Sequence, residues 1–89
     1  MKAKKGFELR QIGDQRIIVA KGVENIDFGK IIAMNASSAY LWTEVDGKEF
    51  TAETLADLLV KKYDIDGNMA LEDSNALAES WLKAGIIEE

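Results

Sequence analysis

The sequence predicts an α+β fold in which three strands precede three helices. Its first third contains short apolar stretches typical of strands, and the remainder repeats apolar residues at helical spacing. Asn35 and Thr51 stand directly before two helical stretches, and residues of these types are good helix N-caps. Gly85 follows the last helical stretch, where glycine readily adopts the left-handed conformation that closes a helix. The expected order is β-β-β-α-α-α.

The first two strands are expected to form a hairpin. Residues Phe7–Ile12 alternate loosely between apolar and polar side chains, and Gly13 and Asp14 offer a tight turn. The second strand, Arg16–Lys21, is apolar on both faces, which predicts the more buried strand of the pair. A third short strand, Lys30–Met34, is also apolar on both faces.

The helices are expected to follow without interruption by another strand. The first covers Ala36–Val45 and the second covers Ala52–Tyr63, with Phe50 and Leu55 at the positions of a hydrophobic staple. The third extends from about Ala70 to Ala84, after a polar turn. Ile86 and Ile87 come after its end, and they can fold back as a short extended tail.

Composition restricts the classes of function. The 89 residues fit a single domain spanning 1–89, and they include no His, Cys or Pro. Without Cys there is no disulfide, thiolate zinc site or thiol nucleophile, and without His the commonest general base and metal ligand are missing. Catalysis would depend on carboxylates, Lys or Tyr alone. We therefore expect no enzyme, no catalytic residue, no cofactor and no metal site.

Net charge bears on the partners. Lys and Arg number 11 against 16 Asp and Glu, and the resulting charge of −5 opposes binding to nucleic acid or to an anionic membrane. The basic residues Lys2, Lys4 and Lys5 are expected to form a frayed, solubilising end. Apolar runs such as Ile17–Ala20 and Ile31–Met34 are four residues long, too short for a signal peptide or a membrane helix. A cytoplasmic location is expected.

Two acidic groupings are not predicted to be sites. Glu72 and Asp73 are adjacent, so on a helix they point about 100° apart and do not form a carboxylate pair. Asp64, Asp66 and Asn68 lack the glycine and glutamate spacing of a calcium loop, which favours a polar turn between two helices.

The third strand is a candidate binding edge. If the three strands form a meander, this strand has one unpaired edge, and such an edge is a template for another strand. A helix or loop that covers the edge, or a second copy of the chain that pairs with it, remains an alternative.

The third helix is a second candidate binding element. Its apolar and small residues span an arc of roughly 140°, wider than the stripe of about 100° that one core face needs. The surplus lines a groove beside the third strand, or the helix is simply well buried; both readings stay open. These residues are Ala70, Leu71, Ser74, Leu77, Ala78, Trp81 and Leu82. Trp42 and Trp81 suit core packing, with an aromatic platform as the alternative.

A combination of short motifs resembles the PqqD-like family. Met34–Trp42 contains the asparagine, small residues and aliphatic–Trp pair of that family, and Tyr63–Asp64 matches its closing tyrosine–aspartate. Glu72–Asp73 and Ala84–Ile87 match an acidic pair and a glycine–aliphatic ending. Met34 replaces the usual Leu, and Ser74 stands where an apolar residue is usual.

The resemblance implies a winged-helix-like fold and a peptide chaperone. Such proteins bind the leader of a ribosomally made precursor peptide and present it to a modifying enzyme, a radical S-adenosylmethionine protein in the pyrroloquinoline quinone pathway. The leader adds as a strand to the third strand and packs against the third helix. The expected peptide-binding residues are Lys30, Ile31, Ile32, Ala33, Met34, Asp73, Leu77 and Trp81. The alternatives are a homodimerising structural domain and a winged-helix DNA-binding regulator.

Overall fold

A computed structural model describes residues 1–20 and 32–89. The elements in order are β1 (Lys2–Ala3), β2 (Phe7–Ile12), β3 (Gln15–Ala20), β4 (Ile32–Met34), α1 (Ala36–Val45), α2 (Ala52–Tyr63), α3 (Gly67–Ala84) and β5 (Ile87–Glu88). This order confirms the α+β class, with a three-stranded antiparallel sheet followed by three helices.

The three-stranded sheet has the order β2-β3-β4, and both pairings are antiparallel. Leu9 lies opposite Ile18, which lies opposite Ile32, and these three side chains pack on the core. Ile17 and Val19 are also buried, so the central strand is the most buried of the three, as its apolar pattern predicts. The last residue of the predicted second strand, Lys21, lies outside the described residues.

The first two helices have the predicted bounds because their starts are set locally. The Asn35 side-chain oxygen accepts a hydrogen bond from the Ser38 backbone N–H, 2.8 Å away. Thr51 and Thr54 form a reciprocal capping box at the start of α2, which satisfies two backbone donors.

The third helix begins at Gly67, three residues before the predicted start at Ala70. Asp64 adopts a left-handed conformation (φ 53°) that ends α2, and the Asp66 side chain accepts from the Asn68 N–H at 2.7 Å. The polar segment expected to be a turn thus contains the cap and first turn of α3. Gly67 and Asn68 are tolerated there because first-turn N–H groups have no intrahelical partner.

The expectation of a frayed N-terminal end is wrong. Lys2 and Ala3 form β1, which pairs antiparallel with β5 so that Ala3 lies opposite Ile87. Ala3 is buried, and the Met1 amino group donates to the Phe50 carbonyl oxygen at 2.7 Å. Ile86 and Ile87 are buried after the end of α3, so their backbone groups need hydrogen-bond partners. β1 supplies these partners, and the small side chain of Ala3 lets it pack closely against Ile87.

The core joins all three helices to the sheet. Its largest fully buried side chain is Trp42, whose ring lies 5.4 Å from that of Trp81, centroid to centroid, at an interplanar angle of 89°. Phe50 packs edge-on against Trp81 at 6.4 Å. Both tryptophans are therefore core residues, which decides against an aromatic platform.

None of the helices that the structure describes has the length and apolar character needed to cross a bilayer.

Candidate functional site

A concave surface of about 500 Å³, here called the main groove, lies between the three helices. Its first wall is the start of α1, where Asn35, Ser37 and Ser38 line it above Leu41. The Asn35 side-chain oxygen accepts from the Ser38 N–H and from the Ser37 hydroxyl, at 2.8 and 2.9 Å. Since its oxygen is engaged in the cap, the Asn35 amide NH₂ is the side-chain group left to donate to a ligand.

The opposite wall of the main groove is α3. Asp73 and Leu77 are four residues apart, so they lie on one face of the helix, with Asp73 exposed and Leu77 half-buried. Leu59, Tyr63 and Ile65 line the groove at the end of α2 and in the connection to α3. Among the described residues that line the groove, the Asp73 carboxylate is the sole charge, and most of the other lining is apolar.

The edge strand β4 leads directly into the main groove, because Met34 is followed by Asn35. One edge of β4 is paired with β3, where Ala33 lies opposite Ile17 and Met34 opposite Arg16. No strand among residues 1–20 and 32–89 pairs with its other edge. Met34 is buried, Ala33 is exposed and Ile32 is half-buried.

Two of the expected peptide-binding residues, Lys30 and Ile31, lie outside the described part of the chain. Asp73 and Leu77 are brought together on the main groove, next to the end of β4. Trp81 is only 2% exposed and packs against Trp42 and Phe50, so the structure places it in the core and not on the groove surface.

Sequence reasoning did not identify most residues of the main groove. Ser37 and Ser38 lie in the first turn of α1, where serines commonly satisfy backbone donors, and Leu59 and Tyr63 lie on α2. Their spacing of four residues indicates a shared helix face, but it does not show that the end of this face opens toward α3. The residues concerned are Asn35, Ser37, Ser38, Leu41, Leu59, Tyr63 and Ile65.

In the part of the chain that the structure describes, no group of three or more acidic, His or Cys side chains is arranged to hold a metal ion. The main groove offers one carboxylate, hydroxyl groups, an amide and apolar surface. This set suits the recognition of an extended ligand by shape and hydrogen bonding.

Comparison with known families identifies the chain. The family described as "Coenzyme PQQ synthesis protein D (PqqD)" matches residues 15–87, which include β3, β4 and all three helices. The chain belongs to the PqqD family. The match covers every wall of the main groove and confirms the resemblance that the motifs indicate. A search of curated proteins gives no match.

The PqqD-type fold also occurs in a solved structure described as "TbiB1 in Complex with the TbiA(beta) Leader Peptide". That structure matches with a TM-score of 0.72 over 99% of this chain and 95% of the other, at 16% sequence identity. At this identity the match shows a shared fold, and it confirms the predicted arrangement of sheet and helices.

Proposed function

We propose that this protein binds the leader segment of a ribosomally made precursor peptide and presents it to a peptide-modifying enzyme. The observation that carries the proposal is the junction of an edge strand with an apolar groove: β4 continues at Asn35 into the main groove, whose far wall holds Asp73 and Leu77. Membership of the PqqD family and the shared fold with a protein solved in complex with a leader peptide support it.

In the proposed mode, the leader adds as a strand to the free edge of β4. Backbone N–H and C=O groups of Lys30–Met34 supply affinity through ladder hydrogen bonds, which are largely independent of the leader sequence. Side chains on alternate positions of the leader then face the helices, because a strand has a period of two residues.

Specificity comes from the groove walls. Leu77, together with Leu41 and Leu59 of the same groove, receives an apolar side chain of the leader. Asp73 is available at the exposed rim for a cation or a hydrogen-bond donor of the peptide. Trp81 contributes by holding α3 in place through its contacts with the core.

The mechanism is docking without chemistry on the peptide. Holding the leader on a small carrier that also contacts the enzyme raises the local concentration of the peptide to be modified. A radical S-adenosylmethionine enzyme, or another peptide-modifying enzyme, is the proposed second partner. We place this step in the cytoplasm, with residues 1–89 acting as one unit.

The proposal is tested by titrating isotope-labelled protein with leader peptides encoded by neighbouring genes, observed by NMR. We expect saturable amide shifts confined to Lys30–Met34, Asn35 and the Asp73–Leu77 face of α3. A folded spectrum that does not respond to any of these peptides would reject leader binding.

A homodimer is the second candidate, because the same free edge of β4 can pair with another copy of the chain. Light scattering over a range of protein concentrations separates the two readings. A dimer that dissociates when peptide is added indicates that both use β4, whereas a dimer unaffected by peptide indicates a separate interface.

A further inference from the structure

A second concave surface, here called the basic groove, lies on the other flank of α1. It has a volume of about 390 Å³ between the sheet, α1 and the end of α2. Among its lining residues are Arg16, Tyr40, Thr43, Lys62 and Tyr63. At 100° per residue, Leu41 in the main groove and Thr43 in the basic groove point about 160° apart around α1.

Aromatic contacts hold one of the two cations in place. The Lys62 ammonium lies 4.8 Å from the centre of the Tyr40 ring, and that ring meets the Tyr63 ring edge-on with centroids 6.4 Å apart. A cation over an aromatic face is attracted by the ring and loses some of its side-chain freedom before any ligand arrives. Lys62 is thus better ordered for binding than a free surface lysine.

Neither cation of the basic groove is neutralised by a described carboxylate. Within residues 1–20 and 32–89, the ion pairs are Glu8–Arg10 and Glu79–Lys83, so Arg16 and Lys62 have no acidic partner there. This occurs in a chain with 16 acidic residues against 11 basic ones. Two unneutralised cations in one concavity of an acidic protein form a local site for an anion.

We propose that the basic groove binds the carboxylate side chain of an acidic peptide segment. Arg16 supplies the planar fork of donors that fits a carboxylate, Lys62 supplies a positioned charge, and the Tyr40 hydroxyl is a further donor. A peptide is the chosen occupant because the groove is also lined by apolar atoms of Leu9 and Ala39, which suit the rest of an extended chain.

Resting on the proposed function, this segment belongs to the same precursor peptide that occupies the main groove. Tyr63 lines both grooves and is 42% exposed, so a chain leaving the main groove passes over this ring into the basic groove. The basic groove then selects precursors that carry Asp or Glu beyond the strand-forming part of the leader.

The first test uses a probe that does not require the precursor to be known. Acetyl-tetraglutamate amide and acetyl-tetraglutamine amide are each titrated into labelled protein at low salt. We expect shifts at Arg16, Tyr40 and Lys62 with the glutamate peptide only, weakening as salt is added. Equal shifts with both peptides, or none at these residues, would overturn the proposal.

Single substitutions test whether Lys62 is responsible for binding the glutamate peptide. Lys62→Gln is expected to weaken glutamate-peptide binding about fivefold, the size of effect typical of one partly exposed charge pair. Lys61→Gln removes the same charge from the neighbouring position of α2, outside the basic groove, and is expected to leave binding unchanged. Equal effects of the two substitutions would indicate general charge attraction and reject the site.

Failure of the basic groove is distinguishable from failure of the proposed function. Leu77 lines the main groove and not the basic groove, so Leu77→Asp should lower leader affinity by about tenfold or more and leave the shifts from the glutamate peptide intact. With a leader that carries acidic residues, Lys62→Gln should weaken binding about fivefold. A leader whose affinity is unaffected by Lys62→Gln would show that the two grooves do not share one peptide.

Discussion

The Trp81 ring meets the Trp42 ring edge-on, with centroids 5.4 Å apart and planes at 89°. Because Trp42 lies on α1 and Trp81 on α3, this contact joins the helices that carry the two walls of the main groove. The geometry is the favourable edge-to-face arrangement of aromatic rings, and both side chains are almost completely buried. The width of the groove therefore depends on a contact that no peptide reaches.

Truncation of this contact should destabilise the whole protein. Trp81→Ala is expected to lower the free energy of unfolding by about 3–5 kcal/mol, the range for large aromatic truncations in cores. Trp81→Phe keeps an aromatic ring and should lose less. Urea denaturation followed by circular dichroism measures both, and equal stability of the two variants would argue against a core role for Trp81.

Leu77→Asp should reduce leader affinity by about tenfold or more, since it places a charge on the apolar wall of the main groove. Leu82→Asp is the matched control, because Leu82 is also half-buried on α3 but does not line the groove. Isothermal titration calorimetry gives the affinities, and thermal melts check the fold. Equal loss of affinity in both variants would remove Leu77 from the site.

Proline substitutions in β4 should distinguish the roles of its paired edge and its free edge. Consecutive N–H groups of a strand point to opposite edges, so Ile32→Pro and Ala33→Pro remove donors from different sides. We expect only the variant that removes an N–H from the free edge to abolish strand addition, and only the variant whose N–H faces β3 to lower the melting temperature. Unchanged leader binding in both variants would exclude β4 as the docking edge.

Ser74→Ala should stabilise the protein by about 1 kcal/mol, because Ser74 is completely buried and its hydroxyl has no hydrogen-bond partner among residues 1–20 and 32–89. For a domain of this size that corresponds to a rise in melting temperature of about 4–8 °C. Ser80→Ala, at an exposed position of the same helix, measures the gain from helix propensity alone. A gain no larger than in the control would contradict the prediction.

The two glycines that border α3, Gly67 in its first turn and Gly85 directly after its last residue, should respond oppositely to substitution by alanine. Gly85 closes the helix with φ 79°, so Gly85→Ala should lower stability by about 1 kcal/mol. Gly67, in the first turn, has no positive φ, and Gly67→Ala should raise stability by about 0.4–1 kcal/mol. Neither added Cβ meets a heavy atom within 4 Å, so differential scanning calorimetry isolates the backbone effect. Stability changes of the same sign in the two variants would contradict this prediction.

Local signals account for the elements that sequence analysis placed correctly. The starts of α1 and α2 depend on the N-cap residues Asn35 and Thr51, which can be recognised in the sequence. The predicted start of α3 lies three residues too late, because Asp66, a good N-cap residue, falls within the segment predicted to be a turn.

Long-range contacts account for the rest. The pairing of Ala3 with Ile87 joins distant parts of the chain, and no periodicity within two residues indicates it. The wide apolar arc of α3 did not show which flank stays accessible: Trp81 lies in the core, whereas Leu77 lines the main groove. The shape of a groove between three helices depends on the angles at which the helices pack, and the sequence pattern does not determine these angles.

The pairing of β1 with β5 brings the first and last residues of the chain close together. With Lys2 opposite Glu88, a linker of a few residues is enough to join the two ends covalently. The chain can then be reopened at the exposed Gly13–Asp14 turn, giving a circular permutant with the same core and the same grooves. Reporter domains fused before Met1 and after Glu89 would leave the molecule close together, which allows two labels to be placed side by side.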